Sequence, residues 1–275
     1  WGILEARLNW YRQLPDSTFM IEWSEDGNLI AQANGMPSAL IRPDGQPLDI
    51  DIELQKQYAK RTGERRTLRK RYGLGPASQD PGDVGYDPDP LVLEDDTAIA
   101  AKANGYYARV SADGNTLWER EIFGHIYVPP VRVNETTSLI ANDSGTLAAI
   151  DNEGGEILWT RSLAGSVFRK PVVDNAGRIY VSEGPTLHAF ESDGSELWRC
   201  ELPARLYASP TLGPDGRLYL GCLDTRFYCV TPEGAVAWSF PTETAVLNRA
   251  LVEAETGRVF AVTMGNVLYC LSPRE

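Results

Sequence analysis

"SDGSELW", residues 192–198, is spelled four times in this chain with small changes. The other copies are "SADGNTLW" (111–118), "NEGGEILW" (152–159) and "PEGAVAW" (232–238). Their tryptophans, Trp118, Trp159, Trp198 and Trp238, are separated by 41, 39 and 40 residues. A period of that length marks a repeat architecture. Three more runs precede the phrase in each period: "KPVVD" (170–174), "GRIYVS" (177–182) and "TLHAFE" (186–191) in one copy. Such runs are short, β-branched or aromatic, and bounded by Gly, Pro, Asp or Asn, which is how strands read. Four antiparallel strands every ~40 residues describe one blade of a β-propeller.

Two further units become visible once the pattern is known. One joins "DGNLIAQ" (26–32) to "SALIRPDGQPLD" (38–49); the other runs from "LVLEDDTAIAAK" (91–102) into "YARVSADGNTLW" (107–118). The last unit, at 249–272, lacks a fourth strand. The segment "EARLNWYRQLP" (5–15) matches "DGSELWRCELP" (193–203), with Trp10 over Trp198. The expectation is therefore an all-β, six-bladed propeller forming one domain over 1–275. Its blades are four-stranded, and the N-terminal strand completes the last one. A ring closed this way leaves no open sheet edge at the seam. Trp10, Trp118, Trp159, Trp198 and Trp238 are read as structural. Each would dock its outer strand on the neighbouring blade, hiding ~150–250 Å² of indole surface.

The phrase "LHAFESDGSELWRCEL" (187–202) resembles the repeat of the quinoprotein-type, or PQQ-like, propellers. The resemblance covers nearly the whole chain except residues 50–88. It implies the propeller scaffold. The family contains quinone-dependent alcohol dehydrogenases alongside propellers that assemble with or are fused to other modules. Its dehydrogenases carry eight blades and a pair of adjacent cysteines over the cofactor. Here the count is six, and Cys200, Cys222, Cys229 and Cys270 are not adjacent to one another. No motif places calcium ligands or a catalytic aspartate. A scaffold without a cofactor is the expectation.

Composition points the same way. The 275 residues carry a net charge of −12, which argues against general nucleic-acid binding. No apolar run approaches the length of a membrane helix. Two histidines, His125 and His188, exclude a multi-histidine metal site. The cysteines have no zinc-like spacing and read as packing residues. Free thiols lean toward a reducing compartment, but the compartment itself is not legible. "NET" (134–136) and "NDS" (142–144) are sequons of a kind that chance often produces.

The first unit breaks the pattern. Leu48 and Leu117 are equivalent, yet 69 residues apart, and Asp49 stands in the tryptophan slot. An insertion at 50–88 accounts for the excess; Tyr58 or Tyr72 is expected to cover the vacated groove. Residues 56–71 hold eight basic residues and one acid, and read as a helix interrupted or bent near Gly63. Residues 80–96 hold seven acids and no base. Either the two halves neutralise each other, or Lys60, Arg61, Arg65, Arg66, Arg69 and Lys70 form a docking arm for an anionic partner.

In propellers the loops leaving each fourth strand gather on one face. Those loops supply His125, Tyr127, Arg169, Lys170, Arg205, Tyr207, Asn248 and Arg249. Two readings compete: an acidic-partner face, or pairing with loop acids such as Glu22, Glu183 or Asp224. His125 has no orienting carboxylate or nucleophile that the sequence identifies, and His188, on a third strand, reads as structural. The functional expectation is a non-catalytic scaffold that binds protein partners, with no cofactor. The first alternative is a calcium-dependent hydrolase or lactonase using Glu22, Asp89 and Asn248. A quinone-dependent enzyme is the second.

Overall fold

The computed structural model describes residues 4–15, 20–33, 36–74 and 87–272, with residues 4 and 5 as backbone only. Six sheets follow one another. The first contains Met20–Trp23, Leu29–Ala33, Met36–Ile41 and Pro47–Leu48. The second contains Leu91–Val92, Ala98–Ala101, Tyr106–Val110 and Thr116–Glu121. The third contains Val131–Arg132, Thr137–Ala141, Thr146–Asp151 and Ile157–Ser162. The fourth contains Val172–Val173, Ile179–Glu183, Thr186–Phe190 and Glu196–Glu201. The fifth contains Thr211–Leu212, Leu218–Gly221, Arg226–Val230 and Val236–Pro241. The sixth takes Leu251–Val252, Val259–Val262 and Val267–Ser272 and adds Arg7–Gln13 as its outer strand.

The N-terminal strand thus completes the last sheet, with Trp10 opposite Cys270 and Arg7 opposite Ser272. One feature was not anticipated. Leu4–Glu5 runs parallel to Trp238–Ser239, so the fifth sheet has five strands. Second strands such as Ala98–Ala101, Leu218–Gly221 and Val259–Val262 are buried at every position. They are near-continuous apolar runs because both of their faces pack. Outer strands alternate between exposed and half-buried positions.

The chain divides into two compact units. The first comprises Trp1–Arg61, Pro185–Leu187 and Trp198–Glu275; the second comprises Thr62–Gly184 and His188–Leu197. In the first unit one core gathers Leu14, Ile21, Leu29, Ile41, Phe260 and Leu268. In the second, one core gathers Val128, Leu139, Leu147, Val167, Ile179 and Phe190.

The repeated phrase is half of a joint between sheets. Trp159 donates its indole N–H to the Ser192 carbonyl at 2.9 Å and lies over Gly194. A Cβ on Gly194 would sit 2.7 Å from the indole, and its φ is +81°. Glycine is therefore required twice, for the turn and for the close approach. Trp10 repeats this arrangement with Pro43 and Gly45, Trp118 with Asn152 and Gly155, and Trp198 with Pro232 and Gly234. Each tryptophan serves the glycine turn of the following sheet, not of its own. Trp238 departs from the rule: it is buried, and its indole N–H has no hydrogen-bond partner among the described residues.

A β-bulge places the indole. In the strands of Trp10, Trp118, Trp159 and Trp238 the register shifts by one residue immediately before the tryptophan. The unpaired residue is Asn9, Leu117, Leu158 or Ala237 respectively. The extra residue twists the outer strand and re-aims the next side chain.

In chain order the first sheet is followed by a helix, Ile52–Arg71, the one α-helix among the described residues. It runs through Gly63 without the interruption that was one of the two expectations there. Open space surrounds Gly63, and Thr67 Oγ1 donates to its carbonyl at 2.9 Å. Asp51 caps the start by accepting the Leu54 N–H at 2.8 Å. Arg69, Lys70 and Arg71 occupy the last turn, where cations favour the helix dipole.

Candidate interaction surfaces

The helix charges are mostly consumed within the protein. Arg61 pairs with Glu22 at 3.0 Å. Arg65 grips Asp89 through Nε and Nη2, and Arg69 reaches the same carboxylate at 2.8 Å. Arg69 is only 2% exposed and also donates to the Asp87 carbonyl, so it anchors the insertion and presents no charge to a partner. Burial alone would raise the Asp89 carboxyl; hydrogen bonds from Arg65 and Arg69 outweigh it and hold it below its usual range. Lys60, Arg66 and Lys70 are exposed. Part of the acidic stretch, residues 80–86, lies outside the described residues.

The vacated tryptophan slot is filled by the end of the helix. Arg71 donates Nε to the Ala112 carbonyl at 2.6 Å, the position equivalent to Ser192 and Pro232 in the other joints. A Cβ on Gly114 would lie 2.9 Å from the Arg71 carbonyl. Tyr72 is buried against Ala98, Ala100, Ala108 and Val110 and donates to the Asp96 carbonyl at 2.9 Å. Tyr58 packs elsewhere, with its hydroxyl 3.3 Å from Gln32 Nε2. Of the two expected tyrosines Tyr72 fills the groove, and the hydrogen bond comes from Arg71, which sequence reasoning missed.

In the second unit the loop residues form an aromatic display. His125 stacks on Tyr127 with ring centres 5.8 Å apart, and Tyr127 stacks on Phe168 at 6.1 Å. Phe123 is 88% exposed. Its backbone is held by Asn142, wholly buried, which donates to the Phe123 carbonyl at 2.6 Å and accepts from Ser144 and Thr146 N–H groups. Gly124 has φ +104° and no room for a Cβ beside Ser144 and Asn142. Phe123 is therefore held out on a fixed backbone. Arg169 and Lys170 follow Phe168 in the same loop.

Asp143 supplies the carboxylate that the sequence did not reveal. Its oxygens meet the His125 backbone N–H at 2.8 Å and Nδ1 at 3.1 Å. Among the described residues no hydroxyl or thiol is bonded to His125 Nε2, so the pair fixes a loop without a nucleophile beside it. His188 is buried, stacks on Phe190 at 6.0 Å, and lies 3.6 Å from Glu183 and 3.7 Å from Glu196.

In the first unit Arg205 and Arg249 are exposed, with no acidic partner among the described residues. Asp224, one expected partner, accepts instead from the Tyr228 hydroxyl at 2.5 Å. Tyr207, Leu223 and Met264 are exposed at 42%, 40% and 62%; Asn248 is half-buried. The four cysteines are buried free thiols, and burial pushes the Cys229 thiol up to about 12. Glu22 and Asp89, two of the candidate calcium ligands, are each held by arginine.

Residues 103–201 and 183–275 match the PQQ_2 family, described as outer membrane protein assembly factor BamB. The chain belongs to this family. It is 30% identical over 192 residues to the BamB proteins of Salmonella typhimurium and Escherichia coli. The match covers 60% of this chain and 47% of each relative, so the chain spans about half the length of the curated relatives it matches. Among solved structures, the WD40 β-propeller domain of Doa1 aligns with a TM-score of 0.65 at 13% identity, covering 98% of this chain and 97% of that one. BBS1N, crystallised with ARL6DN, aligns with a TM-score of 0.54 at 13% identity over 95% and 79%. These likenesses carry the fold: a six-bladed β-propeller.

Proposed function

We propose that this protein is a non-catalytic scaffold subunit of a multiprotein assembly, comparable in role to the assembly factors it resembles. The observation that carries the reading is Phe123, an almost fully exposed aromatic side chain fixed by the buried Asn142. Aromatic anchors displayed on a rigid backbone bind at low entropic cost and dominate interface energies. Tyr127, Phe168, Arg169, Lys170 and His125 extend that surface in the second unit. Arg205, Tyr207, Asn248 and Arg249 supply a loop surface in the first. The cations suit a partner with an acidic rim, a local preference set against the net charge of −12 on the chain as a whole. Arg66 and Lys70, exposed on the helix, supply a secondary contact.

The test is the native size of the assembly. Tagged wild-type protein and a Phe123→Ala/Phe168→Ala variant are expressed in the native source, and gentle extracts are separated by size. The variant is expected to leave the large species and run as a single chain, with its melting midpoint unchanged. A wild-type protein that already runs alone, or a variant that stays in the large species, overturns the proposal.

A further inference from the structure

The fourth sheet buries a histidine without satisfying it. His188, on the third strand, is 8% exposed, and neither ring nitrogen has a hydrogen-bond partner among the described residues. Its Nε2 lies 3.6 Å from Glu183, which ends the second strand. Its Nδ1 lies 3.7 Å from Glu196, which begins the fourth. Both distances are beyond hydrogen-bond range. A carboxylate only accepts. A neutral imidazole has one N–H and serves one of these neighbours, whereas the imidazolium has two and serves both. Even the contact that a neutral ring keeps is weaker, because a hydrogen bond between charged groups is roughly twice as strong. The proton on His188 therefore decides how firmly the two carboxylates are held. All three residues belong to the second unit.

Glu183 passes the difference on. Its side chain is 13% exposed, with Oε2 toward His188 and Oε1 against Gly165, where a Cβ would collide with it. Gly165 opens a loop whose Val167 is packed in one core with Phe190 and whose Phe168 stacks on Tyr127. Phe190 in turn stacks on the His188 ring. The loop is thus tied to the histidine through a carboxylate and through the core. Glu183 and Glu196 are the charged groups within ion-pair distance of the ring among the described residues. The loop itself carries Arg169 and Lys170, and the rest of the fourth strand Arg199 and Glu201. The third sheet brings Arg161, which is bonded to the Gly194 carbonyl. We propose that His188 is a proton-operated latch on the loop 165–170: gaining a proton draws Glu183 and Glu196 onto the ring and fixes the loop, and losing it weakens the Glu183 contact and loosens the loop. Histidine is the side chain that changes charge between about pH 5 and pH 8. For its consequence the latch rests on the proposed function, since Phe168 belongs to the partner surface.

The chain has two histidines, so substitution assigns both ring signals. The intact ¹⁵N-labelled chain, with its histidine rings also labelled, is titrated by NMR from about pH 8 to about pH 5. The amides of Gly165, Ser166 and Val167 are expected to move on the same curve as the His188 ring. His188→Gln is expected to abolish that movement. His125→Gln is expected to leave it, although His125 reaches Phe168 through Tyr127. Glu183→Gln keeps the ring titrating and uncouples the amides, which decides the matter should His188→Gln fail to fold. A His188 ring that does not titrate over this range overturns the proposal. So do amides that stay still or follow His125, or movement that survives Glu183→Gln. No partner enters the titration, and the assembly-size test uses other variants, so either reading can fail alone.

Discussion

Two joints in the second unit have equivalent backbone acceptors and different donors. Trp159 bonds Ser192 and lies over Gly194. Arg71 bonds Ala112 beside Gly114, with Tyr72 sealing the apolar side. One side chain does in the first case what two neighbours on a helix end do in the second. The joint's requirement is therefore a donor for one carbonyl, close cover over a glycine turn and an apolar seal. The indole is the compact way to meet it.

The comparison breaks most completely at the seam. Removing residues 1–14 deletes the strand paired with Val267–Ser272 and the Trp10 joint together. We expect the largest fall in the denaturation midpoint of any variant here; an unchanged midpoint would show the sixth sheet stands without its outer strand. Next, Trp159→Ala is expected to cost about 3 kcal/mol, since large aromatic truncations fall in that range. Gly194→Ala should cost about 2 kcal/mol through its positive φ and the indole above it. In the double variant the costs should fall short of additive by about 1 kcal/mol, because the indole no longer opposes the new Cβ. Additive costs would dissolve the pairing.

Arg71→Ala should cost about 1 kcal/mol, less than Trp159→Ala, because Tyr72 keeps the apolar seal. Chemical denaturation of both variants side by side checks the order. The smallest effect concerns the helix anchor. The Asp89 carboxyl is held below its usual range, so its contribution is present above about pH 4 and fades as pH falls through the folded value. Asp89→Asn should flatten the acid limb of a melting-temperature profile and leave the limb above pH 5 nearly parallel to wild type. An identical acid limb would detach Asp89 from helix anchoring.

The sequence carried the blades because the Gly-to-Trp phrase repeats at a fixed period and is tied to one architecture. It also carried the seam, since Trp10 and the residues around it align with the fourth-strand pattern. It did not carry which glycine each tryptophan meets; that contact spans about one period, and a repeat read singly suggests a contact within itself. The bulges were invisible because one unpaired residue leaves no compositional trace. Arg71 was overlooked as one cation in a run of eight, its role set by where the helix ends. Phe123 was overlooked because an exposed aromatic reads like a buried one until the backbone around it is known.

Because the indoles of Trp10, Trp118, Trp159 and Trp198 each belong to one sheet and their glycines to the next, the portable module of this protein is offset from the blade. A segment of one period, cut anywhere, brings a lid for its successor and a seat for its predecessor. Gain or loss of a segment bounded by two indole–glycine joints leaves those joints matched, so such a repeat can be duplicated without its own joint being redesigned.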